Sequence, residues 1–203
     1  YGVALVDVSL SYFLLHDYEK AAERSREHIG QFPQASFVTR YYLARYLYDW
    51  ANRPDEALQV LLPAPDLAES DFQKGRLYSV YSLLAELYYY FDKFEEMEKY
   101  ANLALEISGD NDRRESVQIA QDLIAFAHAK RKDFTVAEAQ IKKSNELSGH
   151  SEAHNCFLAK AYFIGSEYRK AIEIAKSANL ANVGSDRRYT TCIITLADSY
   201  ARL

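Results

Sequence analysis

Hydrophobic and polar positions alternate along the chain with the spacing of amphipathic helices, in which apolar residues recur every three or four positions. Short polar stretches containing Gly, Pro or Ser interrupt this spacing at intervals. Ser, Asn and Asp cap helix N-termini through their side-chain oxygens. Such residues stand at four of the interruptions: Ser70-Asp71, Asn111-Asp112, Ser151 and Ser185-Asp186. The pattern predicts helices joined by short connections and no β-sheet.

A self-similar pattern runs through the predicted helices, in which an aromatic residue, once a proline, is followed three residues later by Ala or Met. We call the second member the anchor residue. The pairs are Tyr18 with Ala21, Pro54 with Ala57, Phe94 with Met97, Phe134 with Ala137 and Tyr168 with Ala171. The anchors recur after 36, 40, 40 and 34 residues. Periods of this size indicate stacked supersecondary units.

A second set of residues keeps the same register, nine residues before each anchor. Its members are Tyr12, Tyr48, Tyr88, His128 and Tyr162. Small residues come just before three of them, at Ala85, Ala125 and Ala159. Because small residues let two helices approach closely, we expect these alanines to be buried at helix–helix contacts.

These residues resemble the tetratricopeptide repeat, in which a helix carrying Leu-Gly-x-x-Tyr turns into a second helix carrying Ala-x-x-x-Phe. The resemblance implies an all-α fold, a right-handed α-solenoid of about five helical hairpins plus a terminal helix. We expect one solenoid domain with repeats near 2–31, 35–62, 70–108, 112–148 and 151–182 and a half repeat at 185–203. Pro63 and Pro65 should cut the second return helix short, because proline lacks the amide donor.

The last helix carries Leu196-Ala197-x-x-Tyr200 and is half of a sixth repeat. Either it caps the stack or its partner helix lies beyond the chain. The chain begins at Tyr1 without Met and already in helical pattern, so we expect it to be a piece of a longer protein. The repeat lengths are also similar to the longer repeats of bacterial signalling proteins.

Charge and hydropathy narrow the range of partners. The 24 Lys and Arg and 29 Asp and Glu are interspersed and give a formal charge of −5, which disfavours binding to nucleic acid or to an anionic membrane. No apolar run approaches the roughly 20 residues that span a bilayer, so we expect no membrane insertion. We expect a cytoplasmic location, although a periplasmic protein would have the same composition.

Few residues suggest a catalytic or metal-binding site. His150, His154 and Cys156 could offer metal ligands on a helix, but Cys156 points to another side and no fourth ligand is evident. The two cysteines, Cys156 and Cys192, are too few to staple a domain. His128 stands where other repeats have Tyr and is expected at a helix seam with a bonded ring nitrogen. With no catalytic triad, phosphate loop or paired carboxylates beside a plausible cleft, we expect no catalytic residues, no metal, no cofactor and no enzyme activity.

The resemblance implies that the first helix of each hairpin lines a concave groove. Projected onto this sequence, the groove includes Asp122 and Lys160 and a largely aromatic set. The set expected to bind is Tyr42, Tyr46, Trp50, Glu86, Tyr89, Tyr90, Phe126, Phe157 and Phe163. The alternative is that these aromatics pack against the neighbouring hairpin.

Chaperone-binding members of the family hold a peptide carboxylate with a Lys and Asn clamp. The corresponding places here hold Val6, Leu10, Leu43 and Tyr46, which favours an apolar or amphipathic segment instead. The sequence therefore predicts a protein–protein interaction scaffold, whose partner is a protein, a peptide or another domain of the same chain. The alternative is a regulatory module of a transcription activator, sensor kinase or diguanylate cyclase that responds to a small molecule or peptide.

Overall fold

A computed structural model describes residues 12, 14–68, 71–108, 114–148, 154–178 and 187–203. Across these ranges the regular structure is helical and no residue lies in a strand, as the sequence predicts. The chain divides into two compact units, Tyr1–Phe91 and Asp92–Leu203. The single continuous domain and its right-handed superhelix stay predictions.

Unit 1 contains five α-helices in its described residues, with a 3₁₀ turn at Pro65–Leu67 before the fourth. They are α1 (Tyr18–Gln31), α2 (Phe37–Asp49), α3 (Pro54–Leu61), α4 (Asp71–Lys74) and α5 (Leu77–Tyr90). Helix α2 packs against α1 and α3, and α5 packs against α3 and α2. Phe37, Leu43, Leu47 and Leu83 are fully buried and form much of the core.

Unit 2 contains six α-helices in its described residues. They are α6 (Phe94–Ser108), α7 (Arg114–Lys130), α8 (Phe134–Ser148), α9 (His154–Ile164), α10 (Tyr168–Ser177) and α11 (Arg187–Ala201). Each successive pair from α6 to α11 is in contact, and α9 also packs against α7 and α11. This is the neighbour-to-neighbour arrangement expected of stacked hairpins.

Small residues lie at the helix contacts. Ala85, Ala125 and Ala159 are each fully buried, which confirms their predicted placement. Helix α3 ends at Leu61, two residues before Pro63, which confirms the prediction of a short return helix. The expected capping residues Ser70, Asn111-Asp112, Ser151 and Ser185-Asp186 lie outside the described residues.

The turn between the helices repeats in detail. Five non-glycine residues have a positive φ between 51° and 67°, and each stands five residues before an anchor. They are His16, Asn52, Asp92, Lys132 and Ser166. The first helix therefore ends in one left-handed residue at the same repeat position each time, which supports the register read from the anchors. The preceding Gly165 has no room for a side chain, since a Cβ there would lie 2.4 Å from the ring of Phe134.

Cys156 on α9 and Cys192 on α11 form a disulfide, with Cα atoms 4.6 Å apart. Both residues are completely buried. The expectation that these cysteines do not staple the chain was wrong, because the two first helices that carry them are neighbours in the stack. Cys156 is consequently not a free ligand for a metal.

Candidate binding surface

Helix α2 and the residue after it carry three of the predicted aromatic residues of unit 1, Tyr42, Tyr46 and Trp50. Phe37, Leu43, Tyr46 and Leu47 are buried. Tyr42 is half-buried, and Trp50, which follows the last turn, is 63% exposed. The backbone amide of Trp50 donates to the carbonyl of Tyr46 and so continues the last turn of the helix.

Tyr46 is a packing residue. It is only 6% exposed, and its hydroxyl donates to the Glu19 carboxylate at 3.0 Å. Its ring stacks on Tyr18 at a centroid distance of 5.7 Å. Burial and the bond to Glu19 raise the pKa of the Tyr46 phenol. The expectation of an exposed Tyr46 was wrong, because the start of α1 covers this position.

The Tyr18 ring stacks with both Tyr46 and Trp50, two residues of the predicted binding surface. Its ring lies between those of Tyr46 and Trp50, and the Trp50 ring is 5.2 Å away at an interplanar angle of 19°. The Tyr18 hydroxyl lies 2.6 Å from Nδ1 of His16, the left-handed turn residue. Sequence reasoning missed Tyr18 as a surface residue, since it was assigned only to the repeat pattern.

The charged member of the surface is already paired. Glu86 on α5 accepts from Arg45 on α2 at 3.3 Å, and Arg45 also contacts Asp49 at 2.8 Å. This cluster ties α2 to α5. Glu86 therefore stabilises the surface, and its carboxylate is partly neutralised there.

On the same two helices, Tyr90 is 53% exposed and its ring contacts that of Tyr48 edge to face at 6.2 Å. Tyr89 is half-buried beside it. A small pocket between α2 and α5 has a cavity volume of about 20 Å³. Its lining consists of Phe37, Val38, Tyr41, Tyr42, Arg76, Ser79 and Val80. We call Tyr42, Trp50, Tyr89 and Tyr90 the unit 1 aromatic surface.

Unit 2 holds the other predicted residues. Phe126 on α7 is 5% exposed and stacks on Phe157 of α9 at 6.4 Å. It is therefore a core contact between these helices, and the expectation of an exposed Phe126 was wrong. Phe157 and Phe163 are half-buried, and the Lys160 ammonium lies 5.0 Å from the Phe163 ring centroid.

Two ionisable residues of the projected groove are perturbed by burial. Burial raises the pKa of Asp122 to about 7, against a smaller opposing effect of Ser144 on α8. Burial also lowers the pKa of Lys160. Asp122 is therefore part of the α7–α8 packing.

His128 lies at a seam, as expected. Its Nδ1 is 3.3 Å from an Asp133 carboxylate oxygen, and its Nε2 is 3.6 Å from Glu98 on α6. Tyr162, the equivalent residue of the next repeat, donates its hydroxyl to Glu138 on the preceding return helix. The His128–Glu98 and Tyr162–Glu138 contacts each join a first helix to the return helix before it.

Within the described ranges, no group of three or more His, Cys, Asp or Glu side chains is placed to hold a metal ion. In the same part of the chain, no helix has the length and apolar character needed to cross a membrane.

Comparisons with solved structures identify proteins with a similar fold. No protein-family model matches the sequence, and no curated protein matches it. A structure described as the functional characterization of Pseudomonas aeruginosa pilF is 19% identical, with a TM-score of 0.61 over 99% of this chain and 85% of that one. BtubC (BKLC) from P. vanneervenii is 20% identical, with a TM-score of 0.58 over 91% of this chain and 80% of that one.

A structure of the P58(IPK) TPR domain is 15% identical, with a TM-score of 0.44 over 99% of this chain and 65% of that one. At these identities, the similarity of the first two structures concerns the fold. The fold is an all-α helical repeat, as the sequence predicts.

Proposed function

We propose that the chain is a non-catalytic protein–protein interaction scaffold, which binds an apolar or amphipathic peptide segment at the unit 1 aromatic surface. The observation that carries this proposal is the exposure of Trp50 and Tyr90 on the described surface, at 63% and 53%. Large aromatic side chains left in water favour association, and Trp and Tyr are the commonest energetic centres of interfaces. Half-buried Tyr42 and Tyr89, on the same two helices, are included in the proposed surface.

The rigidity of the surface also supports binding. Trp50 is stacked on Tyr18, and Tyr90 rests against Tyr48. Aromatic rings held in place before binding lose little conformational entropy when a partner arrives. A peptide laid across α2 and α5 would therefore meet preformed contacts.

The pocket between α2 and α5 is small. Its cavity volume of about 20 Å³ has room for about one water molecule. A sensor module for a small molecule is the alternative proposal, and this pocket gives it little support.

The pairing of charges supports a non-catalytic role. The carboxylates of Glu86 and Asp49 both contact Arg45, and the phenol of Tyr46 donates to Glu19. General acid–base catalysis needs a group that can reach a substrate proton. These groups are instead engaged in holding α1, α2 and α5 together.

The proposed partner is a protein or peptide, either from another chain or from another domain of the same chain. The interspersed charges give no concentrated positive surface, so the proposal includes no nucleic acid. Phe157 and Phe163 on α9 are proposed as secondary contacts, since both are half-buried.

The test begins with amphipathic peptides selected from a displayed library, whose affinities are then measured by fluorescence polarisation. Trp50→Ala and Tyr90→Ala should each weaken binding by about 30-fold, which corresponds to about 2 kcal/mol. Two controls are available. Tyr200→Ala removes a tyrosine of similar exposure from unit 2, and Lys99→Ala removes an exposed charge from α6.

Both controls should change the affinity by less than about twofold. Thermal melts of all four variants establish that they remain folded. Equal losses in the Tyr200 and Tyr90 variants would show that the peptides bind elsewhere.

A further inference from the structure

Helix α11 is attached to unit 2 by an unusual face. Among the side chains of α11 that the structure describes, at 190–201, the fully buried ones are Cys192, Thr195 and Ser199, all small and mostly polar. In the same range Ile193, Ile194 and Tyr200 are 48%, 49% and 51% exposed. An amphipathic helix normally docks by burying its large apolar side chains. Apolar burial among these described side chains is accordingly small.

Two polar contacts link α11 to its neighbours: the Lys176 ammonium of α10 lies 5.3 Å from the Tyr200 ring centroid, and the charge of Asp198 stabilises the Lys160 ammonium of α9. The hydroxyl oxygens of Thr195 and Ser199 are buried and have no hydrogen-bond partner among the described atoms. A buried hydroxyl without a partner opposes docking, because it has given up its bonds to water. Leu196 contributes one half-buried apolar side chain.

The disulfide is a covalent link between α11 and the rest of unit 2. It joins Cys192 to Cys156 on α9 across 36 residues, and Ala178, just after α10, completes the buried cluster. A cross-link of this span strongly restricts the freedom of the undocked helix. The covalent bond therefore adds to the packing of α11 against α9 and α10.

We propose that Cys156 and Cys192 form a redox latch that holds α11 on α9 and α10 when oxidised and lets it detach when reduced. The oxidant is a disulfide, either of a thiol–disulfide exchange protein or of a low-molecular-weight thiol. The Cys192 thiolate attacks that disulfide and forms a mixed disulfide, which releases one thiolate. The Cys156 thiolate then attacks the Cys192 sulfur and releases the second thiolate.

In this exchange the chain loses two protons and two electrons, and the oxidant becomes two thiols. The reverse reaction with a dithiol restores both cysteines. Because both cysteines are fully buried in the docked state, an external disulfide reaches the free thiols only while α11 is undocked. A dithiol reaches the closed disulfide through local opening around the two sulfur atoms, so opening limits the rate in both directions.

The latch has two consequences. Oxidation fixes Ile193, Ile194 and Tyr200 outward, so the redox state decides whether this face is presented. A disulfide that holds a structural element persists mainly in oxidising compartments, so the oxidised latch is the form expected in such a compartment.

The test is hydrogen exchange followed by mass spectrometry on the oxidised protein, the same protein reduced with a dithiol, and the Cys156→Ser/Cys192→Ser double variant. Amides of α11 should exchange about tenfold faster in the last two, while amides of α7 and α8 change little. Thr190→Ala, at an exposed position of α11, is the matched control and should behave like the oxidised protein.

Alkylation in denaturant, followed by intact mass, counts the free thiols. None is expected after refolding with oxidised glutathione, and two are expected after reduction. Equal α11 exchange in the oxidised and reduced protein would overturn the latch. Two free thiols after oxidative refolding would overturn it as well. Reduction of the folded protein needs no mutation, so failure of the double variant to fold leaves the test intact.

Discussion

At the residue scale, the left-handed turn position offers a direct test of the repeat register. Lys132 is exposed and has φ of 64°, a conformation that glycine adopts without the steric cost paid by other residues. Lys132→Gly should raise the free energy of unfolding by about 0.5–1 kcal/mol in urea titrations. Lys142→Gly, at an exposed position inside α8, is the control and should lower it by about 1 kcal/mol. Loss of stability in both variants would contradict the turn assignment.

Buried alanines give a second prediction at this scale. Ala125 is fully buried on α7, so Ala125→Leu should cost roughly 1–3 kcal/mol by overpacking the helix contact. Ala139→Leu on the exposed side of α8 introduces the same atoms and should have little effect. Thermal melts compare the two variants. An unchanged melting temperature for Ala125→Leu would mean that the helices do not meet at this residue.

At the element scale, Asp122 makes the α7–α8 contact dependent on pH. Its pKa of about 7 in the folded chain lies above its ordinary value of 3.8, so folding favours the protonated carboxyl. The resulting stability is fully present below about pH 4 and is lost as the pH rises through about 7. Each unit of pKa difference corresponds to about 1.4 kcal/mol. Asp122→Asn keeps the shape without the charge, so it should be more stable than the unchanged chain at pH 8 by a few kcal/mol.

Chemical denaturation at pH 4 and pH 8 measures this difference. The variant and the unchanged chain should have similar stability at pH 4. Glu146→Gln, at an exposed position of α8, removes a carboxylate outside the contact and serves as control. If Asp122→Asn had the same effect at both pH values, the buried carboxyl would not be the cause.

The contacts between helices show which parts of the fold could be predicted from the sequence. Ala85, Ala125 and Ala159 were placed correctly, because small residues at a fixed period report directly on close helix contacts. Tyr46 and Phe126 were not, since their burial depends on residues of other hairpins, Tyr18 and Phe157. A motif position specifies the side of a helix and leaves open what the neighbouring repeat places against it.

The disulfide was missed, although the sequence contained a signal for it. Cys156 and Cys192 are 36 residues apart, within the range of the anchor spacings. One repeat period brings equivalent regions of neighbouring first helices together. Repeat arithmetic applied to the cysteines could therefore have suggested the pair, while their burial needed the structure.

At the scale of the whole molecule, the all-helical fold predicts a far-ultraviolet circular dichroism spectrum with the helical minima and no strand contribution. The described ranges contain no strand, and the repeat pattern is the same in both units. Purified protein at neutral pH is sufficient for this measurement. Substantial strand content would contradict the fold.

We propose that a peptide partner lies on the unit 1 aromatic surface, and the fluorescence of Trp50 can test this directly. It is the single tryptophan of the chain and is 63% exposed, so its emission dominates when excited selectively. Titration with a selected peptide that lacks tryptophan should shift the emission maximum to shorter wavelength, because the bound peptide removes water from the indole. The shift should saturate at the peptide concentration that saturates fluorescence polarisation. An emission maximum that stays unchanged while polarisation shows full binding would contradict the account.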